Sequence, residues 1–142
     1  MATRTPSEVL DSVMSIGQNK LQLQRGRFGR FVVMTILAGI YIAFGGTLSL
    51  ILGYGFPEAT AGNPALQKLV SGAAFPIGLI LVVVLGAELF TGNNALLMPA
   101  WITRHCSAKD VALNWLLVYF GNFIGSLLFV YFMVYLTAVS YT

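Results

Sequence analysis

Gly86-Ala87-Glu88-Leu89-Phe90-Thr91-Gly92-Asn93 interrupts an apolar run that begins at Leu69 and resumes at Ala95. It sets a carboxylate, a hydroxyl, an amide and two glycines at a depth where a membrane-crossing helix should be apolar. Hydrocarbon holds no water for opened backbone, so irregular chain survives there only where protein buries it or where it lines a cavity. Ionisable residues at that depth are candidates for function. A helix broken near the midplane is also a common way for transporters to build a substrate site.

The rest of the chain supports the membrane setting. Of 142 residues, 57% are hydrophobic and only 9% charged, with a mean hydropathy of +0.80; soluble domains carry roughly 25% charged residues. Three uncharged windows run from Phe31 to Pro57, from Leu69 to Ala87 and from Val111 to the end. A spanning helix needs about 20 apolar residues, so the expectation is an all-α integral membrane protein with three spans and a broken second helix. The first 25 residues lack the apolar core of a cleavable signal. The net charge of +3 then reads as topology, not as a nucleic-acid surface. A lone Cys106 excludes an internal disulfide, and His105 with Cys106 is too small a set to hold a metal. Passage across a membrane, the role such a break suggests, implies no bond chemistry, so the chain is not read as an enzyme and no cofactor is expected.

Two regions follow. Residues 1–30 hold a helix and a basic linker. Thr5, Pro6 and Glu8 form a capping box with proline in the first turn. Val9, Leu10, Val13 and Met14 recur at helical spacing, which predicts an amphipathic helix over 6–24. It either lies on the membrane surface, the preferred reading, or packs on its own chain. Residues 31–142 form the three-span region. Span one covers about 31–52, with Gly39, Gly45 and Gly46 allowing close approach. Pro76 should kink span two, half-helices near 66–85 and 93–101 flank the break, and span three covers about 108–138. There Gly121 and Gly125 read as a packing motif. Trp101, Trp115, Tyr54 and Tyr141 fall near the expected interfaces. Arg4, Lys20, Arg25, Arg27, Arg30, Arg104 and Lys109 would share one side, against Lys68 alone on the other. Lys/Arg bias sets orientation, which predicts a cytoplasmic N-terminus. It also argues against a dual-topology homodimer.

Lys68-Leu69-Val70-Ser71-Gly72-Ala73-Ala74-Phe75-Pro76-Ile77-Gly78-Leu79-Ile80, the 86–93 stretch, Asn114-Trp115 and Val118-Tyr119-Phe120-Gly121-Asn122-Phe123-Ile124-Gly125 together resemble the formate/nitrite transporter family. Gly17-Gln18-Asn19-Lys20 resembles the family's Gly-x-x-Lys. The resemblance implies an aquaporin-like fold of six spans in two inverted three-helix repeats, assembled as pentamers in a bacterial inner membrane or its equivalent. It implies a pore through each protomer for formate, nitrite or a similar small monovalent anion, accompanied by a proton. Carried over by motif, Phe75 narrows the outer constriction, and Leu79 and Leu89 form the inner one. Glu88, Phe90, Thr91, Gly92 and Asn93 belong to a gating loop, with Thr91 bonded to the family's central histidine. That histidine belongs to the family's fifth span. His105 lies in the cytoplasmic loop and cannot replace it, so the expectation is a half-length subunit, a fragment or one part of a split transporter. It would be completed by a second repeat or by another subunit.

The residues leave several roles open. Glu88 either accepts hydrogen bonds from backbone donors freed by the break, which is preferred, or relays protons. If exposed and ionised it would repel an anion. Thr91 either contacts substrate and gates it, which is preferred, or satisfies backbone. Lys20 either attracts anions to the cytoplasmic mouth or meets lipid phosphates. Phe75, Leu79, Leu89 and Phe90 would be ordinary core but for the resemblance. The alternative to transport is a non-conducting structural subunit of a larger membrane complex.

Overall fold

The computed structural model describes residues 4–136. Tyr141 and the last two residues of the expected third span lie outside the described residues. Helix α1 (Pro6–Gly26) starts as its sequence dictates. Thr5 Oγ1 accepts the Glu8 N–H, Glu8 Oε2 accepts the Thr5 N–H at 2.7 Å, and Pro6 sits in the first turn. Helix α2 (Phe28–Tyr54) is the first span and begins three residues before its expected start. A short turn of helix, α3 (Pro57–Thr60), precedes the second span. That span is divided into α4 (Pro64–Ala74) and α5 (Pro76–Val84). The division falls at Phe75 because Pro76 has no N–H to donate and suits the first turn of a new helix. After the break, α6 (Phe90–Ile102) runs to a tight turn, and a second capping box, Ser107 with Asp110, opens α7 (Ala108–Val130). A π-helical segment, Tyr131–Leu136, continues the third span.

Helix α2 is the centre of the bundle. It packs on α7 along one side and on α4 and α5 along another. Glycines make the α2–α7 contact one of backbone on backbone. A Cβ added to Gly39 would lie 2.0 Å from the Asn122 carbonyl oxygen, and one on Gly125 would lie 2.0 Å from that of Ile36. Gly121 admits the Thr35 side chain in the same way. The packing role read from Gly121 and Gly125 is thus seen directly. Gly39→Val should cost about 3 kcal/mol or more, because backbone cannot step aside for the added atoms. A lowered thermal midpoint in detergent is the expected result, and an unchanged one would mean that α2 and α7 part freely.

Helix α1 takes the packed alternative. Its buried stripe is Gly17, Leu21 and Gln24, while Val9, Leu10 and Ile16 remain exposed. Gly17 lets α6 approach until the Leu96 carbonyl oxygen would stand 2.5 Å from an added Cβ. Leu21 then joins Leu97 and Val111 in a small core, with Trp115 and Cys106 packed against it. The apolar period of α1 was read correctly as helical, but its most buried face is the one that carries Gln24.

Among the described residues, three helical stretches are long and apolar enough to cross a membrane: Phe28–Tyr54, Pro64–Val84 and Ala108–Leu136. Only 17–28% of their apolar windows is buried within the chain. So much exposed apolar surface needs hydrocarbon or neighbouring helices, as in an integral membrane protein.

Candidate functional site

The break is built from backbone that neither flanking helix can satisfy. Gly86 turns the chain with φ +66°, a left-handed conformation that glycine adopts without a Cβ clash. The Ala87 N–H still reaches the Val82 carbonyl at 2.9 Å, closing α5. From there the chain is held by its neighbours. The Glu88 N–H donates to the Met34 carbonyl of α2 at 3.2 Å. The Phe90 N–H donates to Asn122 Oδ1 of α7 at 2.9 Å. Asn122 Nδ2 donates in turn to the Glu88 carbonyl at 2.9 Å and to the Thr35 carbonyl at 2.8 Å.

The Glu88 side chain therefore does something other than what was expected of it. The freed backbone donors go to Met34 and Asn122, not to its carboxylate. The carboxylate, 2% exposed as a residue, is drawn to a cation and an amide instead. Lys20 Nζ of α1 donates to Oε1 at 2.9 Å, and Asn93 Nδ2 donates to Oε2 at 2.8 Å. Asn93 Nδ2 also donates to Asn114 Oδ1 at 2.9 Å, and Asn114 Nδ2 donates to Gln24 Oε1 at 2.8 Å. One buried polar chain thus links α1, the break, α6 and α7. A charge this far from water is tolerated only when paired and hydrogen-bonded, and Lys20 meets that need. Lys20 is thereby engaged within the chain, where the sequence suggested free anions or lipid phosphates. Pairing also removes the objection that Glu88 would repel an anion.

Leu79, Leu89, Lys20, Gly86, Gly92 and Asn93 border a groove of about 350 Å3. Phe75 stands apart from it, at the α4–α5 junction, 46% exposed. Of the stretch expected to be loop, 86–93, only 86–89 lies outside helix; Phe90, Thr91, Gly92 and Asn93 form the first turn of α6. Capping of Phe90 by Asn122, together with the Asn93 N–H to Leu89 carbonyl bond at 2.9 Å, starts that helix early. The Phe90 ring meets Tyr119 edge-on with centroids 5.6 Å apart. Thr91 is exposed. Its hydroxyl, its N–H and the N–H of Gly92 have no partner among the described residues. Two carboxamide oxygens, Asn93 Oδ1 and Asn94 Oδ1, are buried without a donor.

Sequence reasoning singled out Glu88, Thr91 and Lys20 but did not join Lys20 to Glu88. It also passed over Gln24, Asn114 and Asn122 as site residues. Lys20 and Gln24 fall on the same face of α1 as Gly17 and Leu21, and a polar pair on a packed face is the signal that a polar partner lies beneath. Away from the break, Cys106 is half-buried in the α6–α7 turn. Burial first, and then the Asp110 carboxylate, push its thiol above the ordinary range, which slows its reaction with thiol reagents.

The family model described as "Formate/nitrite transporter" matches residues 7–142. A "Probable formate transporter" of Methanothermobacter thermautotrophicus is 36% identical over 137 residues, covering 96% of this chain and 48% of its own length. An "Uncharacterized transporter" of Bacillus subtilis (strain 168) is 35% identical over 142 residues, covering 100% of this chain and 51% of its own. A "Formate channel" of Bacillus thuringiensis is 30% identical over 131 residues, 92% of this chain and 48% of that protein. The chain spans about half the length of these relatives.

Proposed function

This chain belongs to the formate/nitrite transporter family, and we propose that it forms one wall of a membrane passage for formate, nitrite or a similar small monovalent anion, moved together with a proton. The observation that carries this is the first turn of α6: the hydroxyl of an exposed Thr91 and the N–H groups of Thr91 and Gly92 have no partner among the described residues, three and four positions from a carboxylate already paired with Lys20. A charge at the bilayer centre costs about 2.5–3.5 kcal/mol or more. Oriented donors at a helix N-terminus offset that cost for an anion and not for a cation. A proton carried with the anion cancels its charge for the part of the path where only Leu79, Leu89 and Phe75 are offered. These three are the constrictions of the proposed path, and residues 85–93 set its opening toward the cytoplasm.

The wall is one-sided. Leu79 is 47% exposed and Phe75 46%, so the passage needs a second surface. A second three-helix repeat or an adjacent subunit supplies it in the proposed assembly, a homo-oligomer of such units. Reconstituting residues 1–142 into vesicles, alone and together with a second three-span repeat, tests this. Formate and nitrite uptake is expected with the repeat and not without it. Robust, Thr91-dependent uptake by 1–142 alone would refute the one-sided wall, and none in either preparation would refute conduction.

The charge bias argues for α1 and the 103–107 turn in the cytoplasm and for residues 54–68 on the opposite side. A membrane-impermeant maleimide added to intact cells should label a cysteine at Thr60 and leave Cys106 unmodified. Cys106 should react only after permeabilisation at alkaline pH, which allows for its raised thiol. Labelling of Cys106 alone in intact cells would reverse the orientation.

A further inference from the structure

We propose that Asn122 is the positioning residue of the helix break: its one carboxamide fixes the Glu88 carbonyl and the Phe90 N–H against α2, and so sets where Thr91 and the first turn of α6 stand. The functional side of this rests on the reading that Thr91 and its neighbouring N–H groups meet the anion; the structural side does not.

Each hydrogen-bonding direction of the Asn122 side chain is used. Oδ1 accepts from the Phe90 N–H at 2.9 Å, and the two Nδ2 protons go to the Glu88 carbonyl at 2.9 Å and the Thr35 carbonyl at 2.8 Å. Two of these partners have no other means of satisfaction. The Glu88 carbonyl lies in non-helical chain. The Phe90 N–H is the first donor of α6, whose capping residue, Leu89, has no side-chain oxygen to offer. Without Asn122 the break keeps the Glu88 N–H to Met34 bond and the Lys20 and Asn93 bonds to the Glu88 carboxylate, all of them at Glu88, and a chain held at one residue can pivot. Held at Glu88 and again at Phe90, it cannot.

Asn122 is itself seated where the chain has least freedom. Gly121 and Gly125 flank it at the α2–α7 contact, and its own carbonyl oxygen would lie 2.0 Å from a Cβ on Gly39. Ser126 Oγ donates to that carbonyl at 2.9 Å. One helical turn earlier, Tyr119 presents its ring to Phe90. One face of α7 thus holds both the backbone and the ring at the start of α6, and the rigidity of the glycine contact passes to the break. An amide between two glycines at membrane depth is the signal for such a role, because neither packing nor lipid contact calls for it.

Hydrogen-exchange mass spectrometry on the protein reconstituted in lipid tests the clamp without relying on transport. Asn122→Leu keeps the shape and removes the three bonds. It should speed exchange across residues 85–92 by roughly tenfold or more, with residues 32–45 of α2 within about twofold of native. Ser126→Ala removes the hydroxyl's bonds to the Gly39 and Asn122 carbonyls but leaves the Asn122 carboxamide and its three bonds in place, and should leave 85–92 within about twofold of native. The proposal is overturned if Asn122→Leu leaves 85–92 at the native rate or if it loosens α2 by the same factor as the break. In vesicles that also carry the second three-span repeat, formate uptake should fall in maximal rate for Asn122→Leu. Protection lost as expected, with no Thr91-dependent uptake by the native chain even beside that repeat, would sustain the clamp and refute the conduction reading alone.

Discussion

Lys20→Met should destabilise the protein by about 3–5 kcal/mol, the range found when one partner is stripped from a buried ion pair. The carboxylate left behind is 2% exposed as a residue and keeps only Asn93 as a donor. Glu88→Gln should cost less, about 1–3 kcal/mol. The Lys20 it leaves behind borders the groove, has a side chain 16% exposed and can turn its ammonium toward water on a flexible stem. The double variant Lys20→Met with Glu88→Gln should recover part of the loss, with a coupling of about 0.5–3 kcal/mol between the sites. Glu88→Ala should lower the yield of assembled protein, since it removes the link between α1 and the break. Unfolding in detergent, followed by thermal midpoint for all four variants, measures the set. A Lys20→Met protein as stable as native would mean that Glu88 is held by its amide alone. Normal assembly of Glu88→Gln with only a changed pH dependence of uptake would favour the proton-relay role over the structural one.

Much of this architecture was legible from residues whose constraint is local. The capping box at Thr5 and Glu8, the division of the second span at Pro76, the opening of the chain at Gly86 and the packing faces at Gly39 and at Gly121 with Gly125 each follow from a few neighbouring positions, although that these glycine faces meet one another does not. What could not be read was which polar groups find one another across the fold. Glu88 and Lys20 are 68 positions apart, and Asn114 and Gln24 are 90 apart. Hydrophobic periodicity shows that α1 has a face but not what that face covers. Its most regular apolar positions, Val9 and Leu10, remain exposed, whereas the face holding Gln24 is buried. The break was likewise visible as a break, but its extent was not. The donor that starts α6 early comes from Asn122, 32 positions beyond Phe90. Carboxylate and amide side chains at membrane depth announce that partners exist, and only the packed helices identify them.

Thr91→Val should cut formate uptake by about 10- to 150-fold while leaving the assembled protein intact, the loss that corresponds to one hydrogen bond to a charged group, about 1.5–3 kcal/mol. The two halves of that expectation have separate causes. Stability should move by no more than about 0.5 kcal/mol, because Thr91 is exposed, its hydroxyl bonds nothing among the described residues, and valine has the same branched shape. Uptake should move because, in the first turn of α6, the hydroxyl is a side-chain donor that is unclaimed among the described residues, whereas Asn93 Nδ2 is already spent on Glu88 and Asn114, and the N–H groups beside it are unclaimed too. A passing anion gains from that hydroxyl only where it is stripped of water, which is also where the loss of one donor is felt most. Thr91→Ser keeps the hydroxyl and should retain most of the rate, whereas Thr91→Ala should resemble Val. Uptake by the Val variant at the native rate, with assembly unchanged, would place the anion's path away from the first turn of α6 and leave the Thr91 hydroxyl a surface group.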